Sequence, residues 1–260
     1  MVKQTNKDKI ITYSLLLVAV LILLILLLVD QEKIISSLQN NFIKGNTYLE
    51  IGKGLLNTLL ITLVSFVIGL FIGAILCLID GIESQNTCIL ILKKFVKLYV
   101  SIFRGTPMIV QLLIIYFVIF AFYNGNPLFI AMIAFGLNSG AYVSEILRGG
   151  IHAVPMGQME AGRALGLSYP AVMAKIIFPQ AIKNALPSLG NECITLLKET
   201  SIVGFVGAVD LTLAFRKIAN ATYDYQTVYL VMGATYFILV LLIATLLKKL
   251  EGKLMRYVKD

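Results

Sequence analysis

Residues 55–79 read LLNTLLITLVSFVIGLFIGAILCLI, a run of 25 residues without a charged side chain. A helix of about 20 apolar residues is long enough to cross the hydrocarbon core of a bilayer. The rest of the chain has the same character, because 58% of its 260 residues are hydrophobic and 14% are charged. A soluble domain carries about 25% charged residues. The composition therefore excludes a water-soluble or a disordered protein and predicts an integral membrane protein.

Six apolar stretches predict an all-α, polytopic membrane protein with six transmembrane helices. The first, residues 10–29, resembles the core of a secretory signal, but it is too long and no cleavage site follows it. We therefore expect an uncleaved anchor helix within residues 1–30. The other five stretches form one membrane domain at about 50–255. They lie at 55–79, 108–123, 128–144, 193–213 and 227–247.

The basic residues indicate how these helices are oriented. With the N-terminus inside, 16 of the 22 Lys and Arg residues fall in cytoplasmic segments and five in external ones, while Lys198 lies within a span. Positive charge accumulates on the cytoplasmic side of membrane proteins, so we expect both termini to face the cytoplasm. A membrane surface accounts for the net charge of +8, and no nucleic-acid partner is expected.

Reactive residue types are few. The chain has one histidine, His152, and three cysteines without the spacing of metal ligands, so we expect no metal site and no catalytic residue. No phosphate-binding loop of the Gly-x4-Gly-Lys type occurs. An intramembrane serine protease is excluded because His152 lies in a predicted cytoplasmic loop, and an aspartyl type would need a second intramembrane aspartate besides Asp210.

Two glycine pairs lie within the predicted spans, Gly69 with Gly73 and Gly136 with Gly140. Small residues four positions apart let membrane helices approach each other closely. We interpret both pairs as packing positions.

The longest predicted loop, residues 147–192, has a helix-forming sequence. Residues 155–165 predict a short helix that ends at Gly166, a C-cap candidate. Ser168 suits the start of a second helix, which we expect to end at Pro187. The loop is therefore predicted to hold two short helices joined by a sharp turn. They either stand off the membrane as a compact unit or lie on the headgroups as an amphipathic hairpin.

The same loop resembles the EAA loop of ABC importer permeases. The matching residues are Glu160-Ala161-Gly162, then Gly166, then Ile176-Ile177-Phe178-Pro179, with Gly162 in place of the second alanine. Three other segments resemble the polar amino acid branch of that family. They are residues 103–107, 141–150 and 198–201. The resemblance covers about 50–250, so the first helix lies outside it.

This resemblance implies a five-helix type I ABC importer core plus one N-terminal helix, in the bacterial plasma membrane. It implies import of polar amino acids, with ATP and Mg bound by a separate dimer of ABC ATPase subunits and no cofactor in this chain. The other implied partners are a second permease copy or a paralogue, an extracellular amino-acid-binding protein and membrane lipid. A secondary transporter or a channel for small polar solutes is the alternative, but neither would need such a loop, and no inverted repeat is visible.

In such a loop, Glu160 would face the ATPase subunit and Gly166 would permit the turn. The resemblance thus assigns a set of residues to the ATPase interface. They are Met159, Glu160, Ala161, Gly162, Ala164, Leu165 and Gly166.

Polar residues near the middle of the predicted spans are candidates for a substrate path. Each hydroxyl has a simpler alternative, a hydrogen bond to a carbonyl of its own helix. Glu145 and Arg148, three residues apart, are expected to form an ion pair, and a gate is the alternative. Lys198 is a costly intramembrane charge, which we expect in the inner half of the path, paired with Glu145 or facing a substrate carboxylate. The candidates are Thr62, Ser65, Tyr116, Asn138, Glu145, Lys198, Thr200 and Ser201.

Overall fold

The computed structural model describes residues 31–44, 47–82 and 85–257. The predicted anchor helix at 1–30 lies outside the described residues. Within these ranges the regular structure is entirely helical. The α-helices are α1 (Gln31–Leu38), α2 (Thr47–Asp80), α3 (Thr87–Gly105), α4 (Met108–Ile114), α5 (Pro127–His152), α6 (Met156–Ala164), α7 (Tyr169–Val172), α8 (Phe178–Glu199), α9 (Leu211–Thr222) and α10 (Tyr225–Tyr257). Three π-helical segments, Gln39–Lys44, Ile115–Ile119 and Met173–Ile177, and one 3₁₀ segment, Thr200–Val206, complete the set.

Helices α2 and α5 run parallel and in close contact at the centre of the bundle. A Cβ atom added at any of four glycines would lie only 2.5–2.6 Å from the facing helix. Because the residue numbers rise together on both helices, the two helices point the same way. The contacts confirm that both glycine pairs are packing positions. The facing residues are Gly69 with Ser139, Gly73 with Val143, Gly136 with Ile68, and Gly140 with Ile72.

Helix α8 runs antiparallel to α5 along most of its length. Near one end, a Cβ atom on Gly150 would lie 2.5 Å from the backbone oxygen of Ala181. Further along, Ser139 Oγ donates a hydrogen bond of 2.8 Å to Glu192 Oε1. The residue numbers therefore rise on one helix as they fall on the other. We call the end with Gly150 the loop end and the opposite end the far end.

This register corrects two predictions. The predicted span at 193–213 is not one helix, because α8 ends at Glu199, a 3₁₀ segment follows, and Gly207 turns the chain with φ of 79°. The helix that crosses beside α5 begins instead at Phe178 and continues through Pro187, where we expected it to end. Hydropathy missed this helix because its polar side chains lower its mean hydropathy. Among them Glu192 faces α5, whereas Asn191, Thr195 and Lys198 are exposed.

Three described helices are long and apolar enough to span a membrane: Thr47–Asp80, Pro127–His152 and Tyr225–Leu254. Helices α3 and α4 meet the same criteria only as a pair, bent by 110°. The bend falls at Thr106, which is extended (φ −125°, ψ 148°), as a residue before proline tends to be. The described part of the chain thus has three such spans, or four with the bent pair, and the expected count of six is not confirmed.

At the far end, a segment from the N-terminal part of the chain packs against a segment from the C-terminal part. The Phe42 ring lies 6.2 Å from the Phe215 ring, and Asn41 Nδ2 donates to Asp224 Oδ2 at 3.1 Å. Asp210 caps α9 by accepting hydrogen bonds from two backbone N–H groups, each 2.9 Å long. Residues 31–44 therefore pack against the α9–α10 hairpin.

Candidate functional site

The predicted coupling loop is shorter than the sequence suggested. Helix α5 continues to His152 and α8 begins at Phe178, so the loop spans residues 153–177 instead of 147–192. Its two ends are adjacent, because Asn184 Nδ2 donates to the Gly150 oxygen at 3.4 Å. The loop is therefore anchored to α5 and α8 where these two helices are in contact.

The turn between α6 and α7 is built around Gly166. Leu167 N donates to Gly162 O at 3.2 Å, and Gly166 N donates to Arg163 O at 3.0 Å. This pair of bonds forms a Schellman motif, which requires a left-handed residue after the helix. Gly166 has φ of 80°, a backbone conformation that glycine adopts without steric cost. The prediction that Gly166 ends the first loop helix is confirmed.

The loop has a small apolar core of its own, which also holds two of the predicted interface residues. Gly162 is buried, and a Cβ atom there would lie 2.8 Å from Val172 Cγ2. Met159 packs partly against a cluster formed by Val154, Val172, Ile177 and Ala181. Gly162, and in large part Met159, therefore hold the loop together and do not form its outer surface. The core also makes the loop a compact unit rather than an amphipathic hairpin.

The outer surface of α6 carries the other predicted residues. Glu160, Ala161 and Ala164 are exposed, and Leu165 is 81% exposed. Met156, which sequence reasoning missed, is also 81% exposed. Two large apolar side chains this exposed, one at the start of α6 and one directly after its end, with a carboxylate between them, are typical of a surface that another protein covers.

A charged cluster lies at the loop end. Glu145 accepts from Arg104 Nη1 at 3.0 Å and from Arg148 Nη2 at 2.8 Å. The expected pair of Glu145 with Arg148 is confirmed. Arg104, 41 positions away in sequence, was not predicted, and it also lies over the Tyr142 ring at 5.5 Å. The cluster borders a cavity of about 290 Å³ that Asp80 also lines.

Lys198 does not pair with Glu145. Glu145 lies between Ser139 and Gly150, toward the loop end, whereas Lys198 lies six positions beyond Glu192, toward the far end. At 1.5 Å per residue the two are separated by roughly 15–20 Å along the axis. The prediction placed Lys198 in the inner half because it took Cys193 as the start of the span. Lys198 instead borders a cavity of about 500 Å³ with Ser201 in the far half.

The remaining path candidates are not gathered in one cavity. Thr62 and Thr200 donate to carbonyls of their own segments, Thr58 O and Leu197 O, at 2.8 Å each, which is the simpler alternative. Ser65 Oγ donates across to Met132 O at 3.0 Å. Tyr116 packs against the apolar core of α4 and α5.

Asn138 is buried and braces the bent pair of helices α3 and α4. Its Nδ2 atom donates to Phe103 O at 3.2 Å and to Gln111 Oε1 at 2.9 Å. Gln111 Nε2 in turn donates to Phe103 O at 2.8 Å. In this chain Asn138 therefore holds the break between α3 and α4, and its amide is not directed into a cavity.

Glu192 is the polar residue that sequence reasoning missed. It is 8% exposed, and its hydrogen-bond partner is the Ser139 hydroxyl on α5. No basic side chain forms an ion pair with it in the part of the chain that the structure describes. A carboxyl group this deep in a membrane bundle usually marks a solute or ion pathway. It was overlooked because residues up to 192 were assigned to the loop. Among the described residues, no group of three His, Cys, Asp or Glu side chains could hold a metal ion.

Comparison with protein families assigns the chain to one of them. A profile described as "Binding-protein-dependent transport system inner membrane component" matches residues 90–256. The chain belongs to this family. A putative glutamine transport system permease protein of Rickettsia bellii is 41% identical over 215 residues, covering 79% of this chain and 93% of the relative. An arginine transport system permease protein of Bacillus subtilis is 40% identical, covering 78% and 91%.

Solved structures agree with this assignment. A chain from the crystal structure of an amino acid ABC transporter with histidines superposes with a TM-score of 0.74 at 39% identity, covering 82% of this chain and 98% of that one. A methionine ABC transporter permease superposes at 0.68 and 23% identity, which shows the fold alone. This permease therefore has the type I ABC importer fold. It is not an enzyme, because in this family ATP is hydrolysed on a separate subunit.

Proposed function

We propose that this permease imports a polar amino acid, delivered by an extracellular binding protein and driven by an ATPase subunit docked on α6. The observation that carries the proposal is the compact loop, whose exposed face and glycine turn suit a docking lever. The relatives named for glutamine and arginine transport support the substrate class.

The packing explains how a loop movement would reach the path. The loop is attached to α5 and α8 where Gly150 meets Ala181. Helix α5 is locked to α2 through the interlocked glycines, and close-packed interfaces move as rigid units. A push on α6 would therefore reach α2, α5 and α8 together.

The path would run beside the contact between α5 and α8, where these helices carry polar groups. Glu192 and Ser139 lie near mid-depth, and Lys198 with Ser201 lies nearer the far end. A carboxylate and an ammonium group at different depths complement the two charges of a zwitterionic amino acid in turn. In this proposal Glu192 binds the ammonium group of the substrate and Lys198 binds its carboxylate.

The proposed assembly has two ATPase subunits and two permeases, the second being another copy or a paralogue. The loop end would face the cytoplasm of the bacterium, with both termini there, and the far end would receive the binding protein. The positive-inside distribution of Lys and Arg supports this orientation.

The test is ATPase activity in a reconstituted complex of this permease, its ATPase subunit and candidate binding proteins, screened across the amino acids. We expect stimulation by one or a few polar amino acids, in the presence of the binding protein. Stimulation by none of them, or only by a non-amino-acid solute, would overturn the substrate assignment.

A further inference from the structure

Helix α3 has a charge pattern that the transport mechanism does not use. It contains four basic residues and no acidic residue. One side is fixed to the bundle by buried Val96 and by Tyr99, whose hydroxyl donates to Leu137 O at 2.5 Å. The directions of the remaining two sides are therefore set by the fold.

One of these sides is an apolar stripe. Ile91, Phe95, Leu98 and Ile102 are 48–63% exposed, and their spacing of four, three and four residues places them in line on one helix face. In a membrane protein such a face fits the acyl chains of lipids.

The other side carries three lysines beside one groove. Lys93, Lys94 and Lys97 border a concavity of about 350 Å³, which we call the lysine groove. Thr87, Leu90 and Ile91 complete its lining, so the groove meets the apolar stripe at Ile91. Within the described residues none of the three lysines forms an ion pair, whereas Arg104 on the same helix is paired with Glu145. Like charges three or four residues apart on a helix repel each other. An anion in the groove would relieve that repulsion.

The position of the groove indicates where the anion comes from. Lys97 also borders the cavity of about 290 Å³ with Glu145 and Arg148 at the loop end, the end proposed to face the cytoplasm. The cytoplasmic leaflet holds anionic phospholipids, which attract basic segments near the surface. A second copy of α3 would not fit there, because two helices without acidic residues would repel each other.

We propose that the lysine groove binds the phosphate headgroup of an anionic phospholipid, whose acyl chains lie against the apolar stripe. One lipid molecule then matches both free sides of α3. Its headgroup neutralises the lysines of the groove, and its acyl chains cover Phe95 and Leu98 of the apolar stripe. None of the three lysines is among the proposed path or docking residues, but Lys93 also borders a cavity with Met156 of the docking surface.

The chain contains no tryptophan, so Phe95→Trp places a single fluorescent reporter on the stripe beside the groove. Purified full-length F95W permease is placed in bilayers with brominated phosphatidylglycerol or brominated phosphatidylcholine at equal mole fraction. Bromine quenches tryptophan only on contact, so quenching reports which lipid occupies the stripe. We expect the local preference for phosphatidylglycerol to be at least about tenfold, since each lysine near an anionic surface contributes favourably.

The variant K93Q/K94Q/K97Q should lose this preference. The matched control K248Q/K249Q/K253Q removes the same charge from exposed positions on α10 and should keep it. Equal quenching by the two lipids in F95W, or equal loss in both triple variants, would overturn the proposal. Loss of the preference on adding excess inorganic phosphate would also overturn it, because the groove would then be a simple anion site. The readout involves no transport, so it stands or fails separately from the proposed function.

Discussion

The turn at Gly166 offers the sharpest test of the coupling loop. A Cβ atom on Gly166 would meet nothing within 4 Å, so a substitution there causes no clash. Its cost comes from the backbone alone, because φ is 80° and a non-glycine residue in the left-handed region costs about 1–2 kcal/mol. That energy changes the ratio of intact to open turns by a factor of about 5–30.

The perturbation is Gly166→Val, and the chain supplies a matched control. Gly252 lies in α10, outside the docking surface, also with nothing within 4 Å of an added Cβ atom, but in helical backbone. Gly252→Val makes the same chemical change without strain and should behave as wild type. Gly166→Asn should recover part of the loss, because asparagine tolerates the left-handed conformation better.

The assay is binding of the purified ATPase subunit to the permease in detergent, followed by uptake in proteoliposomes. We expect Gly166→Val to weaken ATPase binding by a factor within the range of about 5–30 and to reduce uptake, while the protein stays in the membrane. If Gly166→Val and Gly252→Val bind the ATPase equally well and transport equally well, the reasoning about the turn is refuted.

Three further predictions follow from the packing and the path. Gly136→Val should lower the stability of the detergent-solubilised protein by about 1–3 kcal/mol through overpacking against Ile68. Gly233→Val, at a position with open space around it, should leave the stability unchanged. Equal melting temperatures of the two variants would contradict this prediction. Glu192→Gln keeps an oxygen that accepts from Ser139 but removes the ionisable carboxyl group, so uptake should fall at least about tenfold with normal assembly. Unchanged uptake would remove Glu192 from the path. Lys198→Met should also reduce uptake. Its effect should add to that of Glu145→Gln within about 0.5 kcal/mol, because the two residues are not paired. A clearly smaller effect of Lys198→Met in the Glu145→Gln background would show that the two residues interact.

Local signals in the sequence predicted the parts of the structure that depend on near neighbours. Gly166 and the helix before it are a local motif, and the pair Glu145–Arg148 lies one turn apart on one helix. The spacing of the glycine pairs, four residues apart, predicted that another helix packs closely against them. Which helix approaches is a tertiary fact, and only the structure shows that the two pairs interlock with each other's helices.

The errors have a common physical cause. Charge-free runs identify helices that face lipid. Helix α8 carries polar residues, among them Glu192 against Ser139, so no such run marks it although it packs along α5. Taking Cys193 as the start of that span then placed Lys198 at the wrong depth and suggested Glu145 as its partner. Arg104 could not be assigned to Glu145 either, because no local pattern links residues 41 positions apart.

The central claim is that ATP hydrolysis on a docked subunit drives an amino acid through this permease. The most direct measurement is uptake of a radiolabelled polar amino acid into proteoliposomes in which ATP, the ATPase subunit and the binding protein are omitted one at a time. We predict accumulation only when all three are present, with Gly166→Val reducing it and Gly252→Val leaving it unchanged. Accumulation without ATP, driven by an ion gradient, would contradict the account and favour a secondary transporter.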